Sequence, residues 1–133
     1  MAGVPPVNDP NCINVATPVI DGNHHSGEAC LTCHNGAAAT KFYAGGTVFS
    51  AATGGTGKPG VTVEITDAAN TKVQVVSALS NAPGNFYIKT PLTGSLTVRA
   101  TACPANRPMK TTGNVGDCNS CHNGTTTAVI HVP

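Results

Sequence analysis

The middle of the chain, residues 47–101, alternates apolar and polar positions in the manner of half-buried β-strands. In the clearest run, Val61, Val63 and Ile65 alternate with polar neighbours and would share one inward face. Further strands are predicted over residues 72–78, 86–90 and 95–101, separated by Gly-, Pro- and Asn-rich turns at 54–60, 67–70, 81–84 and 91–94. Short strands joined in this way predict a small antiparallel β-sandwich, and no segment shows a convincing helical period.

Composition limits what can fill the core of this sandwich. The 133 residues fit a single domain, and aromatic residues are only 4% with no Trp. The formal net charge of +1 offers no electrostatic basis for binding nucleic acid or an anionic membrane surface. No apolar run reaches the roughly 18 residues of a membrane-spanning helix. Something other than large side chains is therefore expected to contribute to the core.

Four of the six cysteines form two copies of a Cys-x-x-Cys-His signature, each followed by Asn-Gly. This signature is typical of covalent c-type haem attachment. Two thiols three residues apart on a tight turn can both reach the vinyl carbons of one porphyrin edge, and the His then supplies the proximal imidazole. The sequence therefore predicts two haem c groups, with attachment at Cys30, Cys33, Cys118 and Cys121 and iron ligation by His34 and His122.

Two other uses of paired cysteines fit less well. A four-thiolate zinc site usually separates its pairs by about 15–20 residues, whereas a whole folded segment lies between these pairs. A thioredoxin-type redox pair would require a βαβ context, which the pattern does not show. Haem attachment at both signatures remains the preferred interpretation.

Three further histidines could close the two sixth coordination positions: His24, His25 and His131. Two imidazole ligands favour pure electron transfer, whereas an open iron favours gas binding or peroxide chemistry. If the segment around His24 and His25 is extended, these side chains point to opposite sides and could serve two different haems, one of them in another subunit. Met109 is a rival ligand for the second haem and would raise its potential.

Cys12 and Cys103 lie outside the two signatures. In an oxidising compartment such a pair most often forms a disulfide, which here would tie the amino-terminal arm to the second haem region. The alternative is two free buried thiols.

The chain start, Met1-Ala-Gly-Val-Pro-Pro6, has neither a basic region nor an apolar region of a secretion signal. The protein is then either cytosolic or a mature form whose signal has been removed. The second interpretation is preferred, because haem c attachment is completed outside the cytoplasm. We expect an extracellular or cell-surface location, with the periplasm as second choice.

The middle portion resembles the carboxypeptidase regulatory-like (transthyretin-like) β-sandwich family in three runs: Gly46-Thr-Val-Phe-Ser50, Gly60-Val-Thr-Val-Glu-Ile-Thr-Asp67 and Gly84-Asn-Phe-Tyr87. This resemblance implies a structural module without catalytic residues. The flanking pieces resemble small multihaem c-type cytochromes of bacterial extracellular electron transfer, in residues 30–36 and 116–122 and in the closing Ile130-His-Val-Pro133. Those proteins often hold more than two haems, so the resemblance implies a circuit that neighbouring molecules could complete.

The sequence thus predicts a mainly β fold in which a small sandwich (46–102) is flanked by two haem-binding segments with little helix. The first segment (1–45) holds an amino-terminal arm and one haem site, and the second (103–133) holds the other site and a carboxy-terminal strand. The chain ends can return to the same pole of the sandwich, which would place the haems close together on one side.

The predicted function is single-electron transport by a dihaem c-type cytochrome that is not an enzyme. Its partners would be other redox proteins or copies of itself, because the surplus His could join successive copies into a haem-chain filament. The alternative is a haem enzyme or gas sensor with one open iron, for which the chain lacks an obvious distal Arg/His pair.

Overall fold

The computed structural model describes residues 25–37, 40–79, 81–102 and 116–132 in full, and the backbone of 7–8 and 105–108. Its strands are β1 (Val7–Asn8), β2 (Ala44–Ala51), β3 (Gly54–Gly57), β4 (Thr62–Thr66), β5 (Lys72–Val76), β6 (Asn85–Ile88), β7 (Thr97–Ala102), β8 (Ala105–Pro108) and β9 (Ile130–His131). Its two helices are single turns, α1 (Cys30–Cys33) and α2 (Cys118–Cys121). Neither of these, the only helices in the described ranges, is long and apolar enough to cross a membrane.

The strands form two sheets, which confirms the mainly β class and the small sandwich. One sheet has the order β1-β8-β7-β4-β5, and the other has the order β3-β2-β6 with β9 added to β2. All of these pairings are antiparallel except that of β9 with β2, which is parallel. The parallel pairing is possible because the chain covers a long path, through α2 and its loop, before it returns along β2.

The core lies between the two sheets and is built from β-branched and small side chains. On β4, Val63 and Ile65 are fully buried, as the alternation predicts, and β4 pairs along its whole length with β5 and β7. Phe86 on β6 is the largest fully buried side chain among the described residues. Phe86 and Val48 of the smaller sheet share one core cluster with Val63 and Ile65 of the larger sheet, so each sheet buries one face against the other.

All four predicted strands are present, with ends shifted by a few residues. The prediction of a turn over the whole of 54–60 is wrong, because Gly54–Gly57 forms β3 and pairs with the end of β2. Gly54 and Gly55 have φ values of 87° and 83°, a left-handed conformation that favours glycine, and they follow directly on the two-residue turn of this hairpin at 52–53.

Strands from both flanking segments join the sheets. Val7–Asn8 pairs with β8 at the edge of the larger sheet, and Ile130–His131 pairs with β2 in the smaller one. The predicted carboxy-terminal strand is therefore present as β9. The segment before the first signature and the segment after the second both contribute to the sandwich.

The turn at Asp67 shows how a polar side chain fixes the connection between β4 and β5. Its carboxylate accepts hydrogen bonds from the backbone N–H groups of Thr93 (2.9 Å), Thr71 (2.8 Å) and Ala69 (3.0 Å). The Thr93 hydroxyl donates a further bond at 3.2 Å. These bonds, the Thr93 N–H foremost, hold the pKa of Asp67 below its usual 3.8.

We expect Asp67→Asn to lower stability at neutral pH and to flatten its dependence on acid. Because the pKa of Asp67 is depressed in the folded state, its contribution is present above about pH 4 and is lost as the pH falls further. Urea unfolding at pH 7, 5 and 3 would measure this. The exposed variant Glu28→Gln is the control, and equal acid sensitivity of wild type and Asp67→Asn would contradict the role of the turn.

Candidate haem-attachment sites

The two signature segments fold as near copies of each other. In each, one helical turn runs from the first cysteine to the second, and the following His donates its backbone N–H to the carbonyl of the first cysteine. The N···O distances are 2.9 Å for His34 and 2.8 Å for His122. The backbone of these two residues agrees within a few degrees, with φ of −84° and −82° and ψ of 57° in both.

The two imidazole rings are also held in the same way. Nδ1 of His34 lies 2.8 Å from the carbonyl oxygen of Thr40, and Nδ1 of His122 lies 2.8 Å from that of Ala128. Because a carbonyl oxygen only accepts, Nδ1 must donate its proton, and the lone pair of the neutral ring is then on Nε2. This outer hydrogen bond, which fixes tautomer and orientation, is the usual support of a metal-bound His.

The shared Asn-Gly that follows each His folds the loop back toward the ring. Nδ2 of Asn35 and of Asn123 donates to the carbonyl of the residue three positions earlier, at 3.1 Å in both. Their Oδ1 atoms accept the backbone N–H two residues later, at 2.9 and 2.8 Å. Gly36 and Gly124 then take φ values of 91° and 83°, which the absence of a Cβ permits. The repeated pair is thus explained by loop geometry.

Both turns pack against the same two glycines at the start of β2. A Cβ at Gly45 would lie 3.1 Å from Cβ of Cys30, and a Cβ at Gly46 would lie 2.9 Å from Cβ of Cys118. Successive strand residues face opposite sides, so the first cysteines of the two signatures approach β2 from its two faces. The structure therefore brings together the two predicted attachment sites, which lie far apart in the sequence.

Asn119, the residue after Cys118, joins the two sites directly. Its side chain is 2% exposed, and Oδ1 accepts the backbone N–H of Thr47 on β2 at 3.0 Å. Nδ2 donates to the carbonyl of Glu28, just before the first signature, at 2.8 Å. The segment that carries Asn119 no longer pairs with β2 at this point. The Asn119 side chain therefore supplies the hydrogen-bond acceptor that the Thr47 backbone N–H would otherwise lack.

The Thr47 hydroxyl completes this connection. It accepts hydrogen bonds from the backbone N–H of Gly27 at 2.9 Å and from Nδ2 of Asn119 at 3.1 Å, and it donates to Oδ1 of Asn85 at 2.7 Å. One donor and two acceptor positions are all that a hydroxyl offers, so the group is fully used. We call Thr47, Asn85 and Asn119 the buried polar bridge.

Asp117 links the same two segments from the other side of Cys118. Burial raises the pKa of its carboxyl group, and the backbone N–H groups of Leu31 and Cys30 at the start of α1 oppose that rise. Burial, reinforced by the Asp117 charge, also raises the pKa of the Cys30 thiol to about 11. Burial, reinforced by neighbouring negative charge, raises the pKa of the Cys118 thiol to about 12. These two thiols are therefore neutral at physiological pH.

The surroundings of the two imidazoles differ. The His34 ring stacks on Phe42, with centroids 3.9 Å apart and 5° between planes, and Phe42 stacks in turn on Tyr87 at 4.5 Å and 10°. His122 is half-buried beside Ala128, and burial lowers its pKa, which keeps the ring neutral. A neutral imidazole is the form that binds a metal ion.

The structure places two of the three candidate distal histidines. His25 is 64% exposed in its side chain, has a left-handed φ of 55° instead of an extended backbone, and pairs with Glu28 at 3.2 Å. His131 is buried on β9 opposite Phe49, with Nδ1 2.9 Å from the Val129 carbonyl. The predictions for His24, Met109, Cys12 and Cys103 fall outside the described residues.

The six residues predicted to hold haem lie in the two signature turns and their loops, and the residues that join these turns to each other carry no local signal in the sequence. Cys33 and Cys121 are exposed thiols, as attachment residues before modification should be. Gly45 and Gly46 were visible only as a Gly-Gly pair at the start of a strand run. Asn119 occupies one of the variable positions of the signature, where nothing in the pattern marks it as buried.

Comparisons of the chain with protein families, with curated proteins and with solved structures gave no match. The functional assignment therefore rests on the geometry of these residues.

Replacing Asn119 with Leu should destabilise the protein by about 3 kcal/mol, because the buried Thr47 N–H and the Glu28 carbonyl would lose their partner. Urea unfolding monitored by far-UV circular dichroism would measure the change. Ser120→Ala is the matched control one position further on, since its hydroxyl makes only local contacts, to the Asp117 carbonyl and to Cys121 Sγ, and it should cost about 1 kcal/mol or less. Similar losses for both variants would show that the bridge does not hold the sites together.

Proposed function

We propose that this protein is a dihaem c-type cytochrome that transports single electrons outside the cytoplasm. The observation that supports this most strongly is the repeated Nδ1 hydrogen bond of His34 and His122 to a backbone carbonyl. It leaves each Nε2 as a ligand atom beside a pair of cysteines on one helical turn. A zinc or disulfide role for the cysteines would not require this arrangement in both copies.

The surrounding residues fit such a group on other grounds as well. Neutral thiols at Cys30 and Cys118 suit positions that uncharged thioethers would occupy. The glycine pair of β2 leaves space for the cysteine side chains against the strand. A bound haem would supply iron that alternates between the ferrous and ferric states. The chain's own part is to orient the axial imidazoles.

Electron transport is favoured over catalysis by the available histidines. His131 is held by an Nδ1 bond to the Val129 carbonyl, the same support that the two proximal rings have, so its Nε2 can serve as a sixth ligand. His25, and His24 beside it in the sequence, are further candidates. Iron that is closed by two protein ligands offers no position for a substrate or gas.

The purified protein is expected to contain two covalently bound haems and no open iron. Pyridine haemochrome spectra and intact mass should show two tetrapyrroles in wild type, one in Cys118→Ala/Cys121→Ala, and two in the control Ser120→Ala. Carbon monoxide added to the reduced protein should leave the Soret band of the wild type unchanged. A colourless wild type would contradict haem attachment, and an immediate carbon monoxide shift would favour the enzyme or sensor alternative.

We further propose that copies assemble end to end through a histidine presented to a neighbouring molecule. His25 suits this role because it is exposed and lies on a turn close to the first attachment site. A turn that projects its side chain outward can reach a second molecule, whereas buried His131 cannot. In this arrangement each two-haem unit would extend a longer chain of haems.

If His25 joins successive copies, His25→Ala should abolish filaments while both haems remain attached. Negative-stain images of wild type should show filaments, and those of the variant only single molecules. The control Glu28→Gln removes the ion pair but keeps the imidazole, so it should still form filaments. Filaments that persist in His25→Ala, or a wild type that is uniformly monomeric, would contradict this mode of assembly.

A further inference from the structure

Two lysines and two tyrosines form an exposed cluster where β2 begins and β6 ends. Nζ of Lys41 lies 4.7 Å from the centroid of Tyr43, and Nζ of Lys89 lies 5.6 Å from that of Tyr87. Both lysines are exposed and both rings are half-buried. The N–H of Tyr43 donates to the carbonyl of Ile88, which holds the two halves together at 2.8 Å. We call these four residues the lysine–tyrosine patch.

The patch adjoins the first attachment site and not the second. Tyr87 is the outermost ring of the stack that begins at His34, so a single ring, Phe42, separates the patch from the proximal ligand. Tyr87 is also the cross-strand partner of Gly45 and shares its face, the face on which Cys30 packs. A Cβ at Gly36 would lie 3.6 Å from Cβ of Lys41, so that side chain covers the haem-binding loop.

The positive charge of the patch is not neutralised within the described part of the chain. Neither Lys41 nor Lys89 forms an ion pair there. The described carboxylates are engaged elsewhere: Glu28 with His25, Glu64 with Lys72 and Arg99, Asp67 in its own turn, and Asp117 at α1. Two ammonium groups beside aromatic rings therefore attract an anion to the surface above the first site.

The size of the patch decides what kind of anion it suits. A stable protein–protein interface buries about 800 Å² on each partner and involves some 20–30 residues a side. Four side chains with two charges provide far less than that. They match a compact anionic metal complex, which two cations beside a flat aromatic surface can attract.

We propose that the lysine–tyrosine patch is the place where the first haem site exchanges electrons with a small anionic redox complex. This inference rests on the proposed cytochrome function. In the forward direction the reduced protein loses one electron to the complex, the metal of the complex is reduced by one, and no proton or covalent bond is exchanged. The patch itself binds the anion and holds it against the Tyr87 ring.

Oxidation of the reduced protein by hexacyanoferrate(III), followed by stopped flow, tests the patch. In Lys41→Glu/Lys89→Glu the second-order rate constant should fall about tenfold or more at low ionic strength. The difference should largely disappear in 1 M salt, where the Debye length is about 3 Å. Lys58→Glu/Lys72→Glu makes the same total charge change away from the patch and should lower the rate far less. The cationic oxidant tris(phenanthroline)cobalt(III) should react faster with the patch variant than with wild type.

A second measurement detects binding without electron transfer. Titration of the reduced, ¹⁵N-labelled protein with redox-inert hexacyanocobaltate(III) should shift the backbone amide signals of Lys41, Tyr43 and Lys89, and the patch variant should show no such shifts. Equal oxidation rates for the patch and control variants, or amide shifts confined to another surface, would overturn the inference. Haem content is measured first by absorbance: haem-free protein would refute the proposed function itself, whereas a two-haem protein with an inactive patch would refute only this inference.

Discussion

The contact of both signature turns, α1 and α2, with one glycine pair is the constraint from which the rest of the candidate site follows. Gly45 and Gly46 are adjacent on β2, and each faces the first cysteine of one signature at a distance where a Cβ would be crowded. A side chain larger than hydrogen at either position would push one turn away from the strand. Because the two turns share this short piece of strand, the position of one determines the position of the other.

The buried polar bridge makes that contact specific. Apolar packing alone would tolerate sliding of the turns along β2, whereas Asn119, Thr47 and Asn85 satisfy one another in only one register. Each bond has a modest net value, but an unsatisfied polar group in this region would be costly. The network therefore favours one arrangement of the two turns on β2. It connects residues that are 72 positions apart in the chain.

The two sites are similar in backbone and different in environment. His34 is supported by an aromatic stack that reaches the lysine–tyrosine patch, whereas His122 is half-buried beside the backbone of the closing segment. Under the proposed function, the two irons would therefore experience different polarity and different access from solvent, which are properties that set reduction potentials. Such a difference would favour electron flow in one direction between the two sites. The His34 site would be suited to exchange with solutes, and the His122 site would be more enclosed.

The strands β4, β5, β6 and β7 and the tight turn at each signature could be predicted from the sequence, which also supplies the six candidate haem-holding residues on which the proposal rests. Alternation, turn residues and the Cys-x-x-Cys-His spacing are local signals, because each reflects neighbours within a few positions. The pairing of β9 with β2, the strand at Gly54–Gly57, the burial of Asn119 and the meeting of the two signatures came only from the tertiary structure. These features depend on contacts between distant segments, and an asparagine or a glycine gives no local indication of which distant backbone it will meet.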